Sequence, residues 1–278
     1  MTRTFTTPEH WLRDRVNVAL VGAGGTGSQL ADQLASLDAT LRRLDHPGLR
    51  VVVFDGDRVS PSNLGRSRFA APDVGLHKST VLVHRLRAFY GSEFIDVPAH
   101  FGRDDLLRSR IAWDLVITAT DSAAFRVKLA KWGASLTRPL WIDLGNRASD
   151  GQVVCGHLGS KVPDRLPHVV DLYRAELSGE AGRQADEELP SCGTAEAIAR
   201  QEWPVNRAAA SIAADMIWQL FRAGKITHHA AHFKTSPLQV VPMAIDPATW
   251  AFFGYEATPN RRRKRASCPA PGAAAPVA

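Results

Sequence analysis

Cysteine is nearly missing from this chain. Cys155, Cys192 and Cys268 are the only three in 278 residues, and no two stand in C-x-x-C spacing. A disulfide framework is thereby excluded, and a reducing compartment is implied. Long hydrophobic runs are missing too. No stretch approaches the ~20 apolar residues of a membrane span, and the opening Met-Thr-Arg-Thr-Phe-Thr-Thr-Pro has no apolar segment of the kind an export signal carries. The expected location is cytoplasmic, with no membrane partner. Internal repeats are also absent. The net charge of +6 invites a nucleic-acid reading, yet the run Arg-Arg-Arg-Lys-Arg at 261–265 supplies five of those charges and leaves +1 for everything else. That run sits in a Pro/Ala-rich end, 258–278, without the apolar periodicity needed to pack. It reads as a disordered, solvated tail, and a nucleic-acid contact is expected nowhere else.

What is present is ordinary globular material, 45% apolar, enough for one large core over residues 1–257. Strand-like apolar runs at 16–21, 50–55, 95–99, 114–119 and 140–144 alternate with helical patterns at 29–37, 78–90 and 123–132. Leu30, Leu34 and Leu37 mark one face of the first helix. The alternation predicts an α/β fold, Rossmann-like, with a mostly parallel sheet and helices on both faces. Beyond Gly151 the texture changes. A further strand is expected at 152–158, then a mobile loop over 160–190 with a short helix near 172–177. Helices follow at 194–200 and 204–221, the second with an apolar stripe of Ile212, Met216, Ile217, Leu220 and Phe221 and a stop at Gly224. Residues 232–255, broken by Pro237, Pro242 and Pro247, predict an edge hairpin, which completes a C-terminal helical and hairpin extension.

The chemistry concentrates at Val18-Ala-Leu-Val-Gly-Ala-Gly-Gly-Thr-Gly-Ser28, where an apolar run opens onto Gly22, Gly24, Gly25 and Gly27 and a helix follows. A buried strand ending in a glycine turn, with free helix N–H groups beyond it, is the layout of a phosphate cradle. On its own the turn fits a nicotinamide or flavin dinucleotide equally well. Further residues follow in order: Asp55 and Asp57 with Val59, Asn63 and Arg66 in Ser-Asn-Leu-Gly-Arg, Lys78 in Gly-Leu-His-Lys, and Asp121 after Thr120. Arg and Lys give a planar fork and a point charge for phosphate oxygens. An acid ending a strand can take ribose hydroxyls, and Asp57 can equally stabilise its turn. Asp121 can hold a metal or cap a helix.

This ordered set resembles the ThiF/MoeB/E1 superfamily, whose pattern is G-x-G-G-x-G-S, D-x-D-x-V, S-N-L-x-R, G-x-x-K and T-D. The resemblance spans Gly22 to Asp121 well and the second half loosely. It implies ATP and Mg²⁺ as cofactors and adenylation of the C-terminal carboxylate of a ubiquitin-like or sulfur-carrier protein ending in glycine. Under it, Asp55 and Asp57 lie near the adenosine, Asn63, Arg66 and Lys78 form a cationic wall on the phosphates, and Asp121 holds the metal. It also implies a homodimer and, in some relatives, an E2-like partner. Two features of the family are missing: the two C-x-x-C pairs of a structural zinc site, and the N-terminal R-Y-x-R-Q segment whose arginine reaches a neighbouring protomer's γ-phosphate. Arg3, Arg13 and Arg15 are the only arginines ahead of the first strand, and Arg13 is the candidate.

The stretch Pro190-Ser-Cys-Gly-Thr-Ala-Glu, with Asn206 beyond, is similar to the ThiF proteins of PRTRC systems. Cys192 precedes a candidate helix start that would favour a thiolate, which suits an acceptor of the activated carboxylate; an inert buried thiol is the alternative. Cys155 reads as core and Cys268 as incidental. Two other readings stay open: a dinucleotide oxidoreductase, disfavoured by the Arg66, Lys78 and Asp121 wall, and a non-catalytic nucleotide-binding scaffold.

Overall fold

The computed structural model describes residues 3–179 and 202–257. Strand β1 (Phe5–Thr6) is followed by β2 (Val16–Val21), α1 (Gly25–Arg43), β3 (Leu49–Phe54), α2 (Lys78–Tyr90) and β4 (Ile95–Val97). The chain continues through α3 (Arg103–Leu107), β5 (Leu115–Thr118), α4 (Ala123–Gly133), β6 (Leu140–Asn146) and β7 (Asp150–His157). Two short helices, α5 (Val169–Leu172) and α6 (Arg174–Ser178), close the first described part. The second part holds α7 (Val205–Arg222), β8 (Lys225–Ile226), β9 (His228–Thr235), β10 (Leu238–Ala244) and α8 (Pro247–Ala251).

Eight strands form one sheet in the order β10-β9-β7-β6-β5-β2-β3-β4, with β4, β3, β2, β5 and β6 mutually parallel. β2, β3 and β5 are almost wholly buried because helices cover both faces, which is why they read as continuous apolar runs. Helix α1 packs against α2 and α7, while α4 packs against α3, α5 and α6. The chain runs outward from β2 through β3 to β4 and then returns to place β5 on the other side of β2. The crevice at the C-terminal ends of β2 and β5 is therefore the topological switch point, where open α/β sheets hold ligands.

The expected hairpin is built by β9 and β10, joined through Ser236 and Pro237. It is less peripheral than the sequence implies, because β9 also pairs with β7 and only β10 lies at the edge. Pro242 is accommodated on that edge strand and Pro247 at the first turn of α8, positions where a missing N–H costs little. Of the loop expected over 160–190, the short helix near 172–177 is present as α6, and the rest of 160–179 needs correction. Leu166, Val169, Val170, Leu172 and Tyr173 are buried there against the sheet and α4, so this part is packed. Residues 180–190, the helix expected at 194–200, Cys192, and the tail with Cys268 lie outside the described residues. Helix α1 is longer than the 29–37 pattern because Gly25, Thr26 and Gly27 form its first turn and an Arg42–Asp38 ion pair supports its last. The pairing of β1 with β8, which ties the start of the chain to the end of α7, was not foreseen. The stripe on α7 is buried at Met216, Ile217, Leu220 and Phe221, and Gly224 ends the helix region at φ +62°. Among the described residues no helix is long and apolar enough to cross a membrane.

Candidate active site

A cleft of about 760 Å³ opens at the switch point. Its floor is the glycine turn. Gly22 has φ +97°, and a Cβ there would lie 2.6 Å from the Ala119 carbonyl oxygen of the neighbouring strand end. A Cβ on Gly27 would lie 2.0 Å from the Gly22 carbonyl oxygen. Both positions are glycine because the turn touches the chain after β5 at Gly22, and α1 touches the turn at Gly27, through backbone. Gly24 differs, since a Cβ there would meet nothing within 4 Å. It lines the open cleft, where the absence of a side chain leaves a ligand free access to the N-terminus of α1. Gly25 packs against the Asn206 amide, which a Cβ would approach to 2.7 Å.

Asp55, the residue after β3, is 8% exposed. Its two carboxylate oxygens accept from Ala23 N at 2.6 Å and Asp57 N at 2.8 Å. It therefore ties the glycine turn to the acidic loop, and it lines the cleft while doing so. The loop beyond pairs with the approach to α2: Val59 N donates to Leu76 O, Gly75 N to Val59 O and Lys78 N to Asp57 O. Gly75 turns this segment with φ +90°. The pairing sets the Lys78 and Asp57 side chains against each other, Nζ to Oδ2 at 2.9 Å, with the lysine mostly covered and the carboxylate open.

Asn63 is 6% exposed, and its Oδ1 accepts from Ser60 N at 2.9 Å, closing the turn Pro61–Asn63. The turn aims Arg66, whose Nε donates to Ser62 O at 3.1 Å. Burial pulls the Arg66 guanidinium below its ordinary value, and the charge of Asp121 across the cleft pushes partly back. Arg68, two residues on, faces elsewhere and pairs with Asp32 on α1.

Asp121 is exposed and lines the cleft. It does not cap α4, because that role falls to Ser122, whose Oγ accepts from Phe125 N at 3.1 Å. The loop carrying Asp121 is fixed from beneath: the Thr120 carbonyl accepts from Arg126, whose Nε donates to Asp143 Oδ1 at 2.8 Å. Both partners of that ion pair are buried, and Asp143 Oδ2 has no hydrogen-bond partner. For Mg²⁺, one carboxylate completed by phosphate oxygens and waters is a sufficient protein contribution. The Asp121 position fits that demand, and no cluster of three or more His, Cys, Asp or Glu suited to a metal occurs among the described residues.

The opposite wall was not anticipated. Thr26 Oγ1 donates to Asn206 Oδ1 at 2.8 Å, and Asn146 Nδ2 donates to the same oxygen at 2.7 Å. This amide cluster joins the starts of α1 and α7 to the end of β6. His100 and Phe101 form the far end, next to Asp57. Lone polar residues of this kind have no spacing signature. Of the three in the amide cluster, only Asn206 stands out in the sequence, through the resemblance of its neighbourhood.

Of the predicted site residues in the described part, Gly22, Gly24, Gly25, Asp55, Asp57, Asn63, Arg66, Lys78 and Asp121 line the cleft, and Gly27 supports it from behind. Arg13 and Arg15 lie just ahead of β2, at the N-terminal ends of the parallel strands and so opposite the cleft, paired with Glu9 and Glu93. Cys155 is fully buried in β7, and burial pushes its thiol up to about 12, as a core thiol requires.

The ThiF family pattern matches residues 11–271. No curated protein sequence matches the chain. Among solved structures, E. coli MccB determined with ATP is similar with a TM-score of 0.57 at 14% identity, covering 83% of this chain and 64% of that one. E. coli MccB with AMPCPP and MccA gives 0.58 at 16% identity, covering 83% and 64%. PaaA gives 0.60 at 17% identity, covering 83% and 73%. The chain thus spans 64% of the length of these MccB structures, and the likeness is one of fold.

Proposed function

The chain belongs to the ThiF family, and from that premise we propose that it is an E1-like adenylating enzyme, transferring the adenylyl group of ATP to the C-terminal carboxylate of a small protein or peptide. The observation that carries the reading is the convergence of the glycine turn, Arg66, Lys78 and Asp121 on one cleft at the switch point. That MccB, similar in fold, has been determined with ATP and with AMPCPP and MccA supports it.

In the proposed step a carboxylate oxygen of the acceptor attacks the α-phosphorus of ATP. The new O–P bond forms as the bond to the bridging oxygen breaks, and pyrophosphate leaves with the electron pair. The N-terminal N–H groups of α1 receive phosphate oxygens over Gly24. Arg66 and Lys78 offset the charge that builds on the leaving group and screen the incoming anion. Asp121 would hold Mg²⁺, which when bound neutralises the triphosphate. Asp55 and Asp57, at the end of β3, are assigned to the ribose side. Calorimetry with Mg-ATP and with NAD tests the reading. Micromolar binding of NAD with none of ATP would sink it in favour of an oxidoreductase.

The finer features are proposals on the same premise. The partner is a ubiquitin-like or sulfur-carrier protein ending in glycine, the organisation is a homodimer, and the affinity is with the PRTRC-system branch. An arginine acting on the γ-phosphate would have to cross a dimer interface, since Arg13 lies at the N-terminal ends of its own strands, away from the cleft. Light scattering that finds a fully active strict monomer removes that role. Cys192 is proposed to receive the activated carboxylate as a thioester, with AMP leaving. With ATP and partner, wild type should form a reductant-sensitive conjugate that Cys192→Ala lacks while keeping pyrophosphate exchange. A conjugate that survives in the mutant contradicts the assignment.

A further inference from the structure

One aromatic ring in the cleft has no part in the adenylation scheme above. His100 follows β4, at the end of the cleft beyond Asp55 and Asp57. A Cβ placed on Gly56 would lie 2.8 Å from His100 Nε2, 2.9 Å from Cδ2 and 3.0 Å from Cε1. Near-equal distances to three ring atoms mean that the imidazole presents its face to Gly56 and not its edge. Glycine at 56 lets the ring lie flat against the backbone. The side chain is nonetheless 80% exposed, so its other face is open. Next along the chain, Phe101 is 4% exposed and packs edge-on against Phe54 at 4.9 Å, which anchors this end of the cleft in the core.

The order of groups along the cleft says what that ring meets. The α1 N-terminus, Arg66 and Asp121 gather at the β2–β5 end and suit phosphates, while Lys78 stands against Asp57 in the loop after β3. Asp55, at the end of the next strand, is where a nucleotide's ribose hydroxyls are taken in α/β folds. A nucleoside extended in that direction carries its base past Asp55 onto residues 56, 100 and 101. A flat ring backed on one face and open on the other is a stacking surface, and nucleobases stack readily on aromatic side chains.

We propose that His100 is the platform on which the nucleobase of the bound nucleotide stacks, and that it gives the cleft a preference for purines over pyrimidines. The proposal rests on the nucleotide-transfer reading above. His100 Nε2 also lies 3.9 Å from Asp57 Oδ1, so its substitution could act through charge on the Lys78–Asp57 pair. The experiment separates the two routes. Calorimetry on the full chain measures AMP, CMP, ATP and inorganic tripolyphosphate, each with Mg²⁺, against wild type, His100→Ala and His100→Phe. Wild type binds AMP more tightly than CMP. His100→Ala weakens AMP and ATP roughly tenfold, the scale of losing one stacked base, narrows the AMP-to-CMP ratio and leaves tripolyphosphate unchanged. His100→Phe, with a ring and no charge, restores AMP binding. Wild-type AMP affinity in His100→Ala, or equal weakening of AMP and tripolyphosphate, overturns the stacking role alone. A wild type that binds NAD and no ATP overturns the adenylation reading together with it.

Discussion

Lys78 Nζ lies 2.9 Å from Asp57 Oδ2, so the head of α2 and the loop after β3 are held to each other by charge at the cleft wall. Under the proposed function, that lysine serves the phosphates. Lys78→Ala and Asp121→Ala are expected to lower pyrophosphate exchange by roughly 10² or more, the scale of removing one preorganised electrostatic group. Neither side chain fills the core, so circular dichroism and melting temperature should stay near wild type. Full exchange activity in well-folded mutants contradicts the assignment of both residues.

Gly27 and Gly24 should fail in different ways. A Cβ at Gly27 meets the Gly22 carbonyl oxygen at 2.0 Å, and no flexible group can yield there. Gly27→Ala is therefore expected to cost about 1–3 kcal/mol of stability or more, as overpacking does. Gly24 has φ −74° and open space around it. Gly24→Ala should keep the melting temperature and weaken ATP binding, as read by differential scanning and isothermal calorimetry. Equal melting temperatures for the two variants would contradict this distinction.

Arg126 reaches both the Thr120 carbonyl and buried Asp143, so it carries stability and the placement of Asp121 together. Arg126→Met strands a buried carboxylate and is expected to cost about 3–5 kcal/mol in urea unfolding. Adding Asp143→Leu should recover much of that stability, since a buried pair is often replaceable by apolar groups. Exchange activity should not recover, because the Thr120–Asp121 loop has lost its tether. Recovery of both would show that the pair is structural only.

Three buried histidines contribute to the acid sensitivity of the fold. Burial holds His157, His168 and His229 neutral, with values pulled from the ordinary 6.5 to about 4. In the unfolded chain they take up protons near 6.5, whereas in the native state they do so near 4. Their contribution is therefore complete above about pH 6.5 and is lost as pH falls towards 4. Each contributes on the order of 3 kcal/mol at most, from 1.36 kcal/mol per pH unit of difference. Urea midpoints measured at pH 7.5, 6 and 4.5 should fall in that order. A flat series would contradict the burial of these rings.

The parallel half of the sheet was legible because strands buried on both faces must be apolar throughout, as Leu49–Phe54 and Leu115–Thr118 are. The motif residues were legible for a related reason. Each follows the C-terminal end of a parallel strand or opens a helix, and the topology gathers those ends at one edge. The packing of residues 160–173 is hidden in the sequence because Pro and charge interrupt it, while Leu166, Val169 and Tyr173 follow no regular period yet still find the sheet; the short helix beyond, α6, stands where the sequence places one. β1 and β8 are two residues each, too short for any pattern. Arg126, Asn146 and His100 escaped notice because a lone polar side chain acquires its role only from what the fold sets beside it.

The most direct test of the account is exchange of labelled pyrophosphate into ATP by the full chain, with and without a candidate ubiquitin-like or sulfur-carrier protein ending in glycine. The account predicts exchange that needs Mg²⁺, needs that terminal carboxylate, and is lost in Asp121→Ala. Binding of ATP with no exchange across a panel of such carriers, or exchange indifferent to Asp121, would contradict it.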